Sequence, residues 1–197
     1  MANLIDEKKI NNIIEFLQSL NINSKFFNEL LKKKNYYALN KINEALTHTS
    51  ANKNNNHEKL EFLGDAVLRL AASEFIEKHF KNIKVGKRSE LRAQIVSDEW
   101  LTILGKRINI KKFIIVGPKA MGDKYSSDTI IAESTEALIG AIYKSCNSIK
   151  EINFWLDDHW IKDSKIILEK PYKFNAKSTL QEWCQEKGFN LPEYKIK

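Results

Sequence analysis

Three carboxylates, Glu58, Glu61 and Asp65, recur at spacings of three and four residues within the run HEKLEFLGDAVLRLAASEFIEKHF. On an α-helix they fall within about 60° of one another. Like charges stacked in this way repel. Their neighbours Leu60, Phe62, Leu63, Val67, Leu68 and Leu70 are apolar, unlike the alternating Lys and Glu of a solvated face. A second pair, Glu133 and Glu136, leads into the apolar run ALIGAIY, where Ala132, Ala137, Gly140 and Ala141 keep the helix slim enough for a neighbour to approach closely. If the two helices cross, four or five carboxylates converge, and such a cluster is stable only with a cation. All-oxygen ligands suit Mg²⁺ or Mn²⁺. In a basic protein that points to phosphodiester chemistry, with the cation activating water and stabilising the leaving oxygen. A single glutamate at helix spacing is ordinarily a surface residue or a cap. Two carboxylate groups in one basic chain favour a metal site.

Other chemistries find less support. His48 and His57 flank a polar loop before the acidic helix, and His79 and His159 sit in amphipathic surroundings. No pair has the i, i+4 spacing of a zinc site, so a structural or surface role is expected for each. The stretch GPKAMG lacks the Lys-Ser/Thr of a phosphate loop, and no Gly-x-Ser-x-Gly elbow occurs. The two cysteines, Cys146 and Cys184, are too few for a disulfide scaffold or a cysteine-based zinc site. A reducing compartment is the simplest setting.

The elements that must position these acids are helical. With 43% hydrophobic and 29% charged residues, the 197-residue chain has a globular balance and the length of one domain, or one domain with a small appendage. Seven Gly and three Pro argue against a loop-rich β-sandwich. Apolar spacing predicts helices over about 6–20, 24–33 (with Ser24 as N-cap), 38–48 and 57–80. Further helices are expected over 89–108 (opened by Ser89, with Glu90 in its first turn), 128–147 (capped by Asp128), 150–170, and 175–189 with Gly188 as C-cap. The Asn-rich tract ANKNNNHEK reads as a loop, KNIKVGKRS as a basic loop, and FIIVG as a short strand or a buried extended piece. LPEYKIK reads as the start of a strand.

Thirty-two Lys and Arg against 25 Asp and Glu give a net charge of +7, and the pI is near 9.2. That balance suits a polyanionic partner, either nucleic acid or an anionic membrane surface, and equally a basic surface that is merely solvated. The membrane alternative lacks a strongly basic amphipathic helix. No stretch of 18 apolar residues predicts a transmembrane span, and the N-terminus has neither signal nor transit character, so the cytoplasm is expected.

Four motifs in order, spanning about residues 42–143, carry a resemblance to the ribonuclease III family. HEKLEFLGDAVL resembles its signature, Asn-Glu-x-Leu-Glu-Phe-Leu-Gly-Asp-(Ala/Ser)-Val-Leu. EALTHTS, SELRAQIVSDEWL and ESTEALIGAIY resemble the elements that surround it. The resemblance implies an all-α, dimeric endonuclease that cleaves double-stranded RNA by two-metal Mg²⁺ chemistry, leaving 5′-phosphate and 3′-hydroxyl ends, in the processing of ribosomal RNA precursors and messenger RNA. It implies that Glu61, Asp65, Glu133 and Glu136 hold the metal, with Asp65 and Glu136 most tightly tied to catalysis and Glu58 another acid nearby. Phe62 matches the aromatic that the family inserts into the partner subunit. Two departures stand out: Glu133 replaces the family's usual Asp, one methylene longer, and the acid common near Val85 is missing. AKSTLQEWCQEKGFNLPEYKIK resembles the first helix and strand of a double-stranded RNA-binding domain. Residues 1–170 are therefore expected to form the endonuclease domain, and 171–197 a linker and a partial RNA-binding domain. The rival reading is a non-catalytic protein that binds double-stranded RNA with the same fold. The retained Glu61, Asp65 and Glu136 speak against it, because such a protein has no reason to keep a repulsive cluster.

Overall fold

In the computed structural model, residues 7–20, 22, 25–33, 36–118, 124–169 and 176–194 are described. Helix α1 (Glu7–Ser19) is followed by α2 (Lys25–Lys33), α3 (Tyr36–Ala45) and the long α4 (Glu58–His79). Then come α5 (Val85–Ile95), α6 (Asp98–Arg107), a single 3-10 turn at Ile110–Lys112, α7 (Lys124–Cys146), α8 (Ile149–Glu169) and α9 (Ala176–Glu186). Among the described residues there is no strand, only an isolated parallel bridge between Thr47 and Ile115. The fold is all-α, as the residue pattern predicts.

Helix α4 buries Leu60, Gly64, Val67, Leu68, Ala71, Ala72, Phe75 and Ile76, a stripe at helical period, and its most extensive packing is against α7. Helix α7 buries Ala132, Ala137, Leu138, Ile139, Gly140, Ala141 and Ile142. Where the two cross, the backbones touch. A Cβ built on Gly140 would strike the Leu60 carbonyl oxygen, and one on Gly64 would strike the carbonyl oxygen of Glu136. On its other flanks α7 meets α3 and α6. Helices α6 and α8 are locked together at the buried Asp163: the partly exposed Arg107 guanidinium donates twice to it, at 2.7 Å each, and Trp100 Nε1 donates to the same carboxylate at 2.8 Å.

Several element boundaries differ from the sequence expectation. Helix α3 ends at Ala45, short of His48, because the chain turns into the bridge: Ile115 N–H donates to the Leu46 carbonyl at 2.7 Å, and His48 N–H donates to the Ile115 carbonyl at 2.9 Å. The FIIVG stretch thus contributes one extended bridge residue. Helix α5 begins at Val85, so much of the expected basic loop is helical. The Arg88 guanidinium holds the preceding turn by donating to the carbonyls of Lys81 and Ile83. The single helix expected over 89–108 is two, because Ser97 leaves helical geometry and its side chain accepts from the Trp100 N–H at 3.2 Å, with Asp98 and Glu99 in the new first turn. Asp128 is not a cap but sits inside α7, where it pairs with Lys106 at 2.8 Å. Ser24 and residues 195–197 lie outside the described residues, and residues 191–194 form no strand. Gly188 does end α9, with φ +70° and the Phe189 N–H donating back to the Cys184 carbonyl at 2.8 Å.

The crossing yields a paired prediction. Gly140→Ala forces a methyl group into the α4 backbone and should lower stability by roughly 1–3 kcal/mol, the usual cost of overpacking, despite alanine's better helix propensity. Gly86→Ala, where a Cβ meets nothing within 4 Å, should instead raise it by about 0.4–1 kcal/mol. Urea denaturation of the two variants should move in opposite directions.

Candidate active site

The α4–α7 crossing brings the two carboxylate groups to one side. Glu58, Glu61, Phe62 and Asp65 from α4, Glu133 and Glu136 from α7, and His48, Thr49 and His57 from the approach to α4 line an open cavity of about 540 Å³. Each acid singled out from the sequence lies on this wall.

The Asn-rich loop delivers α4 at a fixed angle. The Asn52 side-chain oxygen accepts from the N–H groups of Asn54 and Asn55, and the Asn56 amide donates to the carbonyls of Asn52 and Lys53. Asn56 Oδ1 in turn accepts from the Glu58 N–H at 3.0 Å, satisfying one of the free donors at the start of α4. The tract is a self-bonded turn, which accounts for its run of short amides.

Burial and crowding hold two of the acids, Glu136 and Glu61, away from their ordinary ionisation. Desolvation, then the charges of Asp65 and Glu61, push Glu136 up to about 7. Desolvation and Glu133 raise Glu61, partly opposed by His57. Asp65 is turned toward Arg69, whose Nε donates to its Oδ1 at 2.7 Å.

Sequence reasoning set the histidines aside, yet two of them belong to the cavity. His57 is 2% exposed. Its Nε2 stands 3.3 Å from Glu61 Oε2 and 3.4 Å from Glu133 Oε2. Burial lowers its pKa, but the hydrogen bond to Glu133, the Thr47 carbonyl and the charges of Glu61 and Glu133 outweigh it, so the net shift is upward. His48 stacks on His57 with ring centroids 5.2 Å apart at 14°. The available signal was the i, i+4 relation of His57 to Glu61, a nitrogen one turn before an acid. Phe62 is 85% exposed beside the acids, and Val85 is 78% exposed at the start of α5.

Comparison with known proteins identifies a family. A family profile described as Ribonuclease-III-like matches residues 39–152. The chain is 48% identical to Ribonuclease 3 of Prochlorococcus marinus over 197 residues, covering all of this chain and 79% of that protein. It is 38% identical over 157 residues to Ribonuclease 3 2 of Synechocystis, covering 80% of this chain and 64% of that one. The chain thus spans less than two thirds of the second relative's length. Among solved structures, the nuclease domain of ribonuclease III from Campylobacter jejuni is similar with a TM-score of 0.56 and 31% identity, covering 77% of this chain and 94% of that one. That structure is described as showing flexibility in a region involved in dimer formation.

The raised Glu136 carboxyl predicts a pH signature in the presence of chelator. Its folded pKa of about 7 lies above the unfolded value of about 4.3. The stability is therefore fully present below the unfolded value and is lost as pH rises through the folded one. Glu136→Gln should match the parent near pH 4 and become the more stable of the two by pH 8, as read by urea denaturation. A difference independent of pH would contradict the assignment.

Proposed function

The chain belongs to the ribonuclease III family and is an endoribonuclease, and on that premise we propose that its acid-lined cavity hydrolyses double-stranded RNA with Mg²⁺, leaving 5′-phosphate and 3′-hydroxyl ends. The observation that carries the reading is the convergence of five carboxylates on one open cavity in a chain of net charge +7. The donor set fits a hard divalent cation, because burial and then the neighbouring acids raise Glu61 and Glu136 without one. Glu61, Asp65, Glu133 and Glu136 would hold it, with Glu58 beside them. When bound, such a cation activates a water and neutralises charge on the leaving oxygen.

The protein's own residues prepare that site. Arg69 fixes the rotation of Asp65, and the rigid α4–α7 contact fixes Glu136 relative to both Asp65 and Glu61. From the cavity a basic edge continues along α4 and α5: Arg92 donates to Ser73 Oγ at 3.1 Å, one turn beyond Arg69, and exposed Lys81 and Lys84 lie before and at the start of α5. Such an edge suits the phosphates of an A-form duplex, which is recognised by shape, backbone and 2′-hydroxyls.

A phenylalanine exposed as far as Phe62 supports a two-fold dimer in which it is covered by the partner subunit. Two cavities would then cut one strand each, leaving short 3′ overhangs. Residues 1–170 would form the nuclease domain, and 171–197 the linker and start of an RNA-binding domain. Ribosomal RNA precursors and messenger RNA in the cytoplasm are the substrates that this reading favours.

Asp65→Asn or Glu136→Gln should abolish Mg²⁺-dependent cleavage of a long duplex while leaving duplex affinity within a few-fold of the parent. Cleavage at the parental rate by either variant would refute the site. Phe62→Ala should raise the dimer dissociation constant at least tenfold in sedimentation, since truncating a buried aromatic costs roughly 3–5 kcal/mol. A parent chain that sediments as a monomer would count against the interface.

A further inference from the structure

The signature form begins with an amide residue where this chain has His57, and the family's usual Asp is Glu133 here. These two departures, far apart in sequence, meet in space: His57 Nε2 faces Glu133 Oε2 at 3.4 Å and Glu61 Oε2 at 3.3 Å. The ring is held in place. Its Nδ1 lies 3.3 Å from the Thr47 carbonyl, the His57 backbone N–H donates to that same carbonyl at 3.0 Å, and His48 covers one ring face. A carbonyl oxygen accepts only from a donor, so Nδ1 carries a hydrogen; with no cation present Nε2 also donates to the carboxylates, and a bound cation would take the place of that proton between Nε2 and the two oxygens. A backbone carbonyl holding the outer nitrogen while the inner one faces anionic oxygens is how ligating imidazoles are oriented.

The spacing agrees. Donor atoms about 2.1 Å from one cation stand roughly 3–3.4 Å from each other in octahedral or tetrahedral arrangements. His48, His57 and Glu133 also present donor atoms within 4.8 Å of one another. Within this trio His48 is the weaker candidate, because its Nδ1 accepts from the Ser50 N–H at 3.1 Å, which puts the hydrogen of the neutral ring on Nε2. Glu133, longer by one methylene than the family's Asp, reaches the His57 side of the cavity, so the two substitutions act as one change.

We propose that His57 Nε2 is a ligand of the cation held by Glu61 and Glu133, which makes the donor set mixed nitrogen and oxygen and shifts selectivity toward first-row transition ions such as Mn²⁺ and away from Mg²⁺. Imidazole adds affinity for ions later in the first row, whereas Mg²⁺ gains little from a nitrogen donor. The inference rests on the reading of the cavity as a divalent-cation site.

The test uses the full chain without RNA. Mn²⁺ and Mg²⁺ are titrated by calorimetry, and bound Mn²⁺ is examined by pulsed electron paramagnetic resonance for coupling to an imidazole nitrogen. The parent should show that coupling. His57→Asn should remove it and reduce the Mn²⁺-over-Mg²⁺ affinity ratio at least fivefold, with His57→Gln as a second variant and circular dichroism verifying that both fold. Absence of coupling in the parent decides against His57 even if neither variant folds, and His48→Asn, which should keep the coupling, assigns it when present. Mn²⁺ bound without nitrogen coupling in the parent would overturn the proposal and leave the cavity reading standing, with His57 acting only as a hydrogen-bonding neighbour of the two acids. Coupling that persists in His57→Asn, or an unchanged ratio, would also overturn it. Failure of both cations to bind would overturn the cavity reading itself.

Discussion

Two glycines in direct backbone contact govern this molecule. Gly64 on α4 and Gly140 on α7 leave no room for a side chain, so the helices meet main chain to main chain at the point where their acids face the same space. Helices separated by ordinary side chains lie 8–10 Å apart or so, and the two glycines remove that spacing at the crossing. At this closer contact the carboxylates perturb one another. The elevated Glu136 and Glu61 pKa values are the electrostatic consequence of the packing.

A repulsive cluster needs a frame that does not yield. The crossing is backed on its far flanks by α3 and α6 against α7, and by the Arg107–Asp163–Trp100 lock between α6 and α8. Asp163 is buried, and its doubly bonded guanidinium partner together with the indole donor satisfies the charge that burial would otherwise penalise. Trp160 joins the same region, stacking near Phe75 and Trp100 and donating to the Ile95 carbonyl at 3.1 Å. The apolar and ion-paired side of the bundle thus supplies the rigidity that the acidic side consumes.

The short bridge between Thr47 and Ile115 has an influence beyond its size. It ends α3, fixes the backbone of His48, and leaves the Thr47 carbonyl to accept from both nitrogens offered by His57, the backbone N–H and ring Nδ1. Helix α4 therefore enters the cavity with its first residues already oriented, and the Asn-rich loop needs only to complete the turn.

The acid stripe of α4, the slimness of α7, the all-α class and the loop of short amides were legible in the residues, because period, side-chain volume and turn chemistry are local properties. The expectation that Ala132, Ala137, Gly140 and Ala141 allow close approach needed no coordinates, since a missing Cβ is visible in the chain itself. Helix boundaries were less legible. Ser97 divides what reads as one apolar run, and Arg88 draws the basic loop into α5, and each depends on a hydrogen bond whose competing alternatives the local pattern does not rank. His57 was barely legible as a member of the cavity, its one signal being the i, i+4 relation to Glu61. Its sequence neighbours are polar loop residues, and only the tertiary fold places Glu133 beside it and seals it from water. Sequence alone determined which acids meet. The crossing of α4 and α7 and the bridge behind it decided which nitrogen meets them, because that contact is made by residues distant in the chain and carries no periodic signal.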